Sequence, residues 1–355
     1  MTNIAEGIRI LEVAAWTYVP VAGTILAEWG ADVIKVEHPE TGDPQRGLVT
    51  SGMVPAGPGG VNHMIELPNR GKRSVGIDLS TEEGHRILLE LAATADVFLT
   101  NFTPPARQKL RIDVDDIRAA NPDIIYVRGS GMGPRGEEAD RGAYDASAFW
   151  ARTNAKLATP ADREWPVVQP GPAYGDLIGG MFIAGGITAA LLHRERTGEA
   201  TVVDSSLLHA GLWATGASIL STHLFGPQEF ANPRETPPNP LVGNYKTADG
   251  RFVMLMFLQS DRYWPEFITN AGHPELVDDP RFVDGVARYT NNSELVALLD
   301  DLFGSKTLEE WRPILDAGEG PWAPVLGPED LLEDQQVLAN GYIQDVTIAS
   351  GASYK

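Results

Sequence analysis

The 355-residue sequence contains no cysteine. That absence removes a disulfide framework, a thiolate metal site and a cysteine nucleophile, and it fits a protein of a reducing compartment. Positive charge is scarce: 28 Lys and Arg stand against 48 Asp and Glu, a net charge of −20. No nucleic-acid partner is expected, because phosphate backbones are held by a basic footprint. The same field repels small anions at long range, so a phosphate-bearing ligand has to be met by a local basic cluster. Long apolar runs are missing too. The longest, Met181–Leu192, is interrupted by Gly185, Gly186 and Thr188 and is too short for a membrane span. The opening MTNIAEGIRILEV lacks the basic residues and apolar stretch of a secretory leader, so a cytoplasmic protein is expected. Neither GxSxG nor HExxH occurs, and the seven histidines are scattered without metal-ligand spacing, so no metal centre is expected.

What the sequence has instead is alternation. Ile8–Val13, Asp32–Val36, Ser74–Leu79, Asp96–Leu99 and Asp123–Arg128 read as short apolar strands. Helix-period residues fill Pro20–Trp29, and a second helix, capped by Ser80 or Thr81, runs to Leu91 with Glu82 and Glu83 at its positive end. This pattern predicts an α/β fold, a parallel sheet with helices on its faces. A longer helix is expected from Asp176 to His193, then the strand ATVVD, then a helix opening at Ser205 or Ser206 with Asp204 as its cap. The segment GPQEFANPRETPPNPLVGN (226–244) is too rich in proline for regular structure and reads as a linker. Beyond it, YKTADGRFVMLMF (245–257) predicts a hairpin around Asp249 and Gly250, followed by helices to about Ala317.

Several stretches carry possible chemistry. In PGPAYGDLIGG (170–180), Asp176 stands at the door of a long apolar helix. A carboxylate beside apolar surface is costly unless capped, paired or used, so it is either an N-cap or a reactive group. Gly175, Gly179 and Gly180 strip side chains from around it, which would admit a ligand or a second chain. NRGKR (69–73) and NFTPPARQKLRI (101–112) are each a solvated basic turn or a phosphate contact, and Asn101 falls at the end of an expected parallel strand, where open sheets bind ligands. GSGMGPRG (129–136) follows a strand, but Pro134 and the polar EEADRG run stand where a dinucleotide-binding helix would begin, so it reads as a loop.

Taken together, AGTILAEWGADVIKVEHPETGD, NRGKRSVGIDLSTEEG, ADVFLTNFTP, NPDIIYVRGSGMG, GAYDA, GDLIGGMFIAGGITAALLHRERTGEATVVDSSLL and GNYKTADGRF resemble the class III CoA transferases, the CaiB/BaiF family. This family takes in formyl-CoA and carnitine CoA-transferases and the α-methylacyl-CoA racemases. The resemblance implies that Asp176 is a nucleophile forming an acyl anhydride and then a CoA thioester, with acyl-CoA and a carboxylate as substrates. It implies CoA contacts from Thr17, Tyr18, Val19, His38, Ile77, Leu79, Asn101, Phe102 and Lys109, with Arg107, Lys109 and Arg141 as the local positive charge. His38 stands in place of an arginine and Thr17 in place of a glutamine of formyl-CoA transferase, and Ser80 replaces a lysine of relatives. Tyr144 occupies the site of the racemase histidine and Gln259 that of a racemase glutamate. A tyrosine is a poor base near neutral pH, which speaks against racemisation. NPLVGNY (239–245) replaces the glycine-rich loop of formyl-CoA transferase. The alternatives are a 2-methylacyl-CoA racemase with Asp176 as base, and a non-catalytic CoA-binding subunit in which Asp176 only caps its helix. The resemblance also implies an interlocked homodimer with a Rossmann-like large domain and a smaller α+β domain: a CoA-binding part over 1–225, the linker 226–244, a small domain over 245–319 and a returning segment over 320–355.

Overall fold

Six strands form one parallel sheet: β1 (Arg9–Val13), β2 (Asp32–Glu37), β3 (Arg73–Gly76), β4 (Val97–Thr100), β5 (Ile125–Ser130) and β6 (Val202–Ser206). Their order is β3-β2-β1-β4-β5-β6, and every neighbouring pair runs parallel. The computed structural model describes residues 3–160, 163–227, 234–348 and 350–355. It divides into two compact units, one reaching residue 228 and adding 348–352, the other spanning 229–347 with 353–355. Residues 228–233 of the expected linker lie outside the described residues, and its last three, Val242–Asn244, are already strand.

The sheet is buried on both faces, as parallel sheets are. Ile10, Val97, Leu99, Ile125 and Val127 point to one core, while Leu11, Val13, Phe98 and Tyr126 point to the other, with the two-residue period of a strand. Helices α1 (Tyr18–Glu28), α2 (Arg46–Thr50), α3 (His63–Asn69), α4 (Glu82–Ala92), α5 (Pro104–Leu110) and α6 (Val114–Ala120) belong to the first half of the sheet. A π-helical stretch at Ala146–Asn154 leads into the short α7 (Ala155–Ala158), and α8 (Tyr174–Thr197), α9 (Leu207–Ala214) and α10 (Gly216–Phe225) follow. Thr81, of the two expected caps, closes the start of α4 by accepting from Gly84 N–H at 3.0 Å. The expected Asp204 cap is corrected: Ser206 caps α9 through His209 N–H at 3.1 Å, and Asp204 stays on β6 to bind Arg128.

α8 is long and apolar enough to cross a membrane by length and composition, whereas Met181–Leu192 alone is too short. Its Ile183, Ala184, Ile187 and Ala190 pack in the sheet core with Val19 and Ala22 of α1. The glycines of its first turns serve that packing. A Cβ on Gly179 would meet the Tyr18 ring at 2.5 Å, one on Gly180 would meet Val21 at 2.6 Å, and one on Gly175 would meet Phe149 at 2.5 Å. The space expected for a ligand or a second chain is therefore filled by this chain's own side chains.

In the second unit, β7 (Val242–Lys246), β8 (Phe252–Met256) and β9 (Trp322–Pro324) make an antiparallel sheet. The β7–β8 hairpin turns at Asp249-Gly250, where Gly250 has φ 80°. α11 (Ser260–Asn270), α13 (Asn292–Gly304) and α14 (Leu308–Asp316) supply Trp264, Phe267, Phe303 and Trp311 to a core shared with Tyr245 and Leu255, and α12 (Gly285–Thr290) precedes α13. Residues 320–347, read from the sequence as the start of a return to the large domain, group with this unit. The reason is backbone pairing: Met256 N–H donates to Pro321 O at 2.9 Å and β9 lies beside β8.

Candidate active site

β1 and β4 are neighbours although β2 and β3 intervene in sequence, so the strand order reverses between them. Open α/β sheets bind ligands at such a switch point, beyond the carboxyl ends of the strands. A cleft of about 720 Å³ opens there, lined by Trp16 of the β1 loop and Tyr18 at the start of α1, by Asn101 and Phe102 of the β4 loop, and by Gly129–Gly131, Gly133 and Pro134 at the end of β5 and in its loop. Arg107, Arg128, Arg141, Tyr144, Asp176 and Asp204 complete its polar lining.

The loop after β1 is clamped at consecutive residues. Asn101 bonds both sides of Ala15, its Oδ1 accepting from Ala15 N–H at 3.1 Å and its Nδ2 donating to Ala15 O at 2.6 Å. Asp43 Oδ1 accepts from Trp16 N–H at 3.1 Å, and Gln45 Nε2 donates to Thr17 Oγ1 at 2.9 Å. Between these ties Trp16 has φ 67°, a left-handed conformation that costs about 1–3 kcal/mol in a non-glycine residue and persists only where the surroundings over-determine it. Its indole meets the Tyr144 ring edge-on, at 5.6 Å between centroids and 87° between planes.

Asp43 is itself anchored in a buried charge cluster. Lys35 Nζ lies 3.0 Å from Asp43 and 3.1 Å from Glu12, and Lys72 Nζ lies 2.7 Å from Glu12. All four side chains are essentially sealed from water. Lys72 comes from NRGKR, so this part of the basic turn is neither a solvated face nor a phosphate contact. Burial pushes its ammonium down to about 8 against the pull of Glu12.

Asp176 sits in the first turn of α8, which opens from Ala173 at φ 60° rather than at Asp176 itself. The expected N-cap role is thereby excluded by position. Among the described residues no hydrogen-bond donor is assigned to its half-buried carboxylate. Burial first, and the neighbouring Asp145 carboxylate second, push it up to about 7. Asp145 is buried, accepting from Ala146 N–H at 2.7 Å and from Gln169 Nε2 at 3.0 Å. Tyr18 donates its hydroxyl to Ser205 Oγ at 2.9 Å, and burial holds its phenol well above the usual range. The raised Asp176 value has a stability consequence. The unfolded carboxyl ionises near its ordinary 3.8, so the folded state carries a penalty that grows from there and is complete above about 7. Asp176→Asn is therefore expected to stabilise the protein by about 2 kcal/mol at pH 8, after discounting for partial exposure, and by less at pH 5. Urea unfolding at the two pH values checks it.

Of the residues singled out from sequence, Tyr18, Asn101, Phe102, Arg107, Arg141, Tyr144 and Asp176 line the cleft. Thr17, Val19, His38, Ile77, Leu79 and Lys109 do not. Thr17, Val19 and Ile77 are buried, and Leu79 packs on the second sheet core. His38 is exposed, its Nδ1 facing the N–H groups of Glu40 and Thr41 at 3.3 and 3.4 Å. Lys109 is exposed on α5. Arg107 is buried, donating to Phe102 O at 2.8 Å and to Asp113 at 3.3 Å, so it braces the Asn-Phe turn instead of standing free for a phosphate. Gln259 is in the second unit, at the N-cap position of α11. Trp16, Arg128, Gln169 and the β5 loop were not among the expected site residues. GSGMG, which begins on the last residues of β5, carried a signal, because its first glycine brings backbone close: a Cβ on Gly129 would meet Val19 at 2.1 Å. Among the described residues no group of His, Cys, Asp and Glu is arranged to hold a metal.

A doubly wound sheet with a half-buried aspartate in the cleft at its switch point has the ligand-binding arrangement of open α/β proteins. The chain belongs to the CoA-transferase family III, whose description matches residues 5–354. It is 30% identical over 348 residues to an (R)-2-hydroxy-4-methylpentanoate CoA-transferase of Clostridioides difficile, covering 98% of this chain and 86% of that protein. It is 32% identical over 360 residues to a cinnamoyl-CoA:phenyllactate CoA-transferase of Clostridium sporogenes, with 99% and 85% covered. The crystal structure of a CaiB/BaiF family protein from Brucella suis superposes with a TM-score of 0.82 at 27% identity, over 98% of this chain and 89% of that one. The protein is accordingly a CoA-transferase, an enzyme whose substrates are CoA thioesters and carboxylates.

Proposed function

We propose that CoA moves from donor to acceptor through covalent intermediates on Asp176. The observation that carries this is a half-buried carboxylate in the cleft at the switch point, which accepts no hydrogen bond from the described residues and whose value is pushed up to about 7. Such a group is desolvated enough to be nucleophilic and ionised enough to act. In this reading an Asp176 oxygen attacks the thioester carbonyl, the C–S bond breaks, and an acyl-aspartyl anhydride and CoA thiolate form. The thiolate attacks the aspartyl carbonyl, releasing the donor acid and leaving an aspartyl-CoA thioester. An acceptor carboxylate then attacks that carbonyl and expels the thiolate, which takes the acceptor acyl group and frees Asp176. No net proton is needed. The positive end of α8 faces the developing charge.

Because the nucleophile is the anion, kcat/KM is expected to fall about tenfold per pH unit below about 7 and to level off above it. A flat profile between pH 5 and 8 would remove Asp176 from the rate equation. The reading extends to the assembly. Met181, Leu192, Trp213, Leu220 and Leu224, from α8, α9 and α10, are each at least half exposed, an apolar surface suited to a second copy of the chain. We place the enzyme in the cytoplasm as an interlocked homodimer, with the first unit as its CoA-binding domain. Residues Tyr18, Asn101, Phe102 and Arg141 adjoin the bound CoA, and Lys109 on the outer face of α5 meets its phosphates.

A further inference from the structure

One aromatic residue of the cleft stands on a tightly tied stretch of backbone that no motif marks. Trp16 is held left-handed by ties to Ala15, to its own N–H and to Thr17, and the residue so placed lines the cleft and is not part of the buried core. Tyr144, 60% exposed, stands edge-on to it and lines the same cleft as Asp176. We propose that these two rings are the wall against which the acyl group is selected, and that the preferred substrates are monocarboxylic acyl groups with an aryl or branched apolar body. This rests on the transferase reading above and names its substrate class.

Charge supports the same conclusion from an independent side. The cations that line the cleft are Arg107, Arg128 and Arg141, and each already meets a carboxylate. Arg107 is bound to Asp113 at 3.3 Å, Arg128 binds both Asp204 oxygens at 2.7 and 2.8 Å, and Arg141 binds Glu138 at 2.8 Å. Asp140, Asp176 and Asp204 line the cleft as well. A second carboxylate on the substrate would face aromatic surface and like charge, and it would gain a partner only by breaking an existing pair. An aryl or branched group meets two rings already set edge-on to each other in the cleft.

The test measures kcat/KM of the purified full chain with 3-phenylpropanoyl-CoA, butanoyl-CoA and succinyl-CoA as donors and 4-methylpentanoate, a branched apolar acid, as acceptor. The aryl donor is expected to exceed succinyl-CoA by about tenfold or more. The ratio of 3-phenylpropanoyl-CoA to butanoyl-CoA is expected to fall by about fivefold or more in Tyr144→Ser, and in Trp16→Ala where that variant folds. A general loss of activity through loop collapse would leave this ratio in place, so a smaller fall overturns the aromatic wall. A succinyl-CoA value equal to or above the aryl value overturns the substrate class. Absence of transfer from every donor would overturn the transferase reading itself and this inference with it, a result distinct from transfer with the opposite preference.

Discussion

Asp176→Ala is expected to lower kcat for CoA transfer by at least about four orders of magnitude, because it removes the atom that forms both covalent intermediates. CoA binding is expected to stay within a few fold. Asp176 lies in the first turn of a helix that begins two residues earlier, with no capping bond to lose, so the fold does not depend on its carboxylate. The variant is also relieved of a half-buried charge next to Asp145. The two effects have opposite signs: activity disappears while stability at neutral pH rises. A helix cap would lose stability and keep activity. Steady-state transfer, CoA titration and urea unfolding of the same preparation separate the two cases.

The second large effect is expected at a residue that does not line the cleft. Glu12→Ala leaves Lys35 and Lys72 without the carboxylate that both of them touch, at 3.1 and 2.7 Å, in a region sealed from water. Breaking a buried ion cluster by removing one partner costs about 3–5 kcal/mol, a large share of a typical domain's stability. The damage should also reach the site. Lys35 is the partner of Asp43, and Asp43 holds the Trp16 N–H. Glu12→Gln keeps the volume and one acceptor and is expected to lose less. Chemical denaturation midpoints of the two variants check the order. A loss in Glu12→Ala below about 1 kcal/mol would mean that the cluster is no more than a surface network in energetic effect.

The parallel strands and the hairpin were legible because each is a local pattern: apolar runs of strand length, and Asp-Gly between two of them. Sheet order was not, since nothing in a strand states its neighbour, and the switch point that makes the cleft follows from that order. Asp176 was legible as an aspartate out of place, and the resemblance gave it a role. Its neighbouring glycines were misread. They look like clearance in sequence, yet the atoms that fill the space belong to Tyr18, Val21 and Phe149. The same limit explains Thr17 and Asn101. Both were expected to touch CoA, and Asn101 does line the cleft, but its amide is engaged with Ala15, 86 residues away in the chain. Lys72 read as a surface cation because the carboxylate that buries it is 60 residues distant. Trp16 carried no signal at all, because what sets it apart is a backbone angle. Asp204 was expected to cap because it precedes a helix, and Ser206, closer to that helix, does so instead.

The central claim is a covalent bond to one oxygen of one aspartate. The direct measurement is peptide mass spectrometry of the enzyme quenched in acid after incubation with 3-phenylpropanoyl-CoA in deuterium oxide. The expected result is a mass increase of one acyl or one CoA group on the peptide containing Asp176, absent in Asp176→Ala, with the α-protons of the recovered substrate retained. An unmodified Asp176 peptide together with deuterium at the α-carbon would contradict it, and would make Asp176 a base instead of a nucleophile.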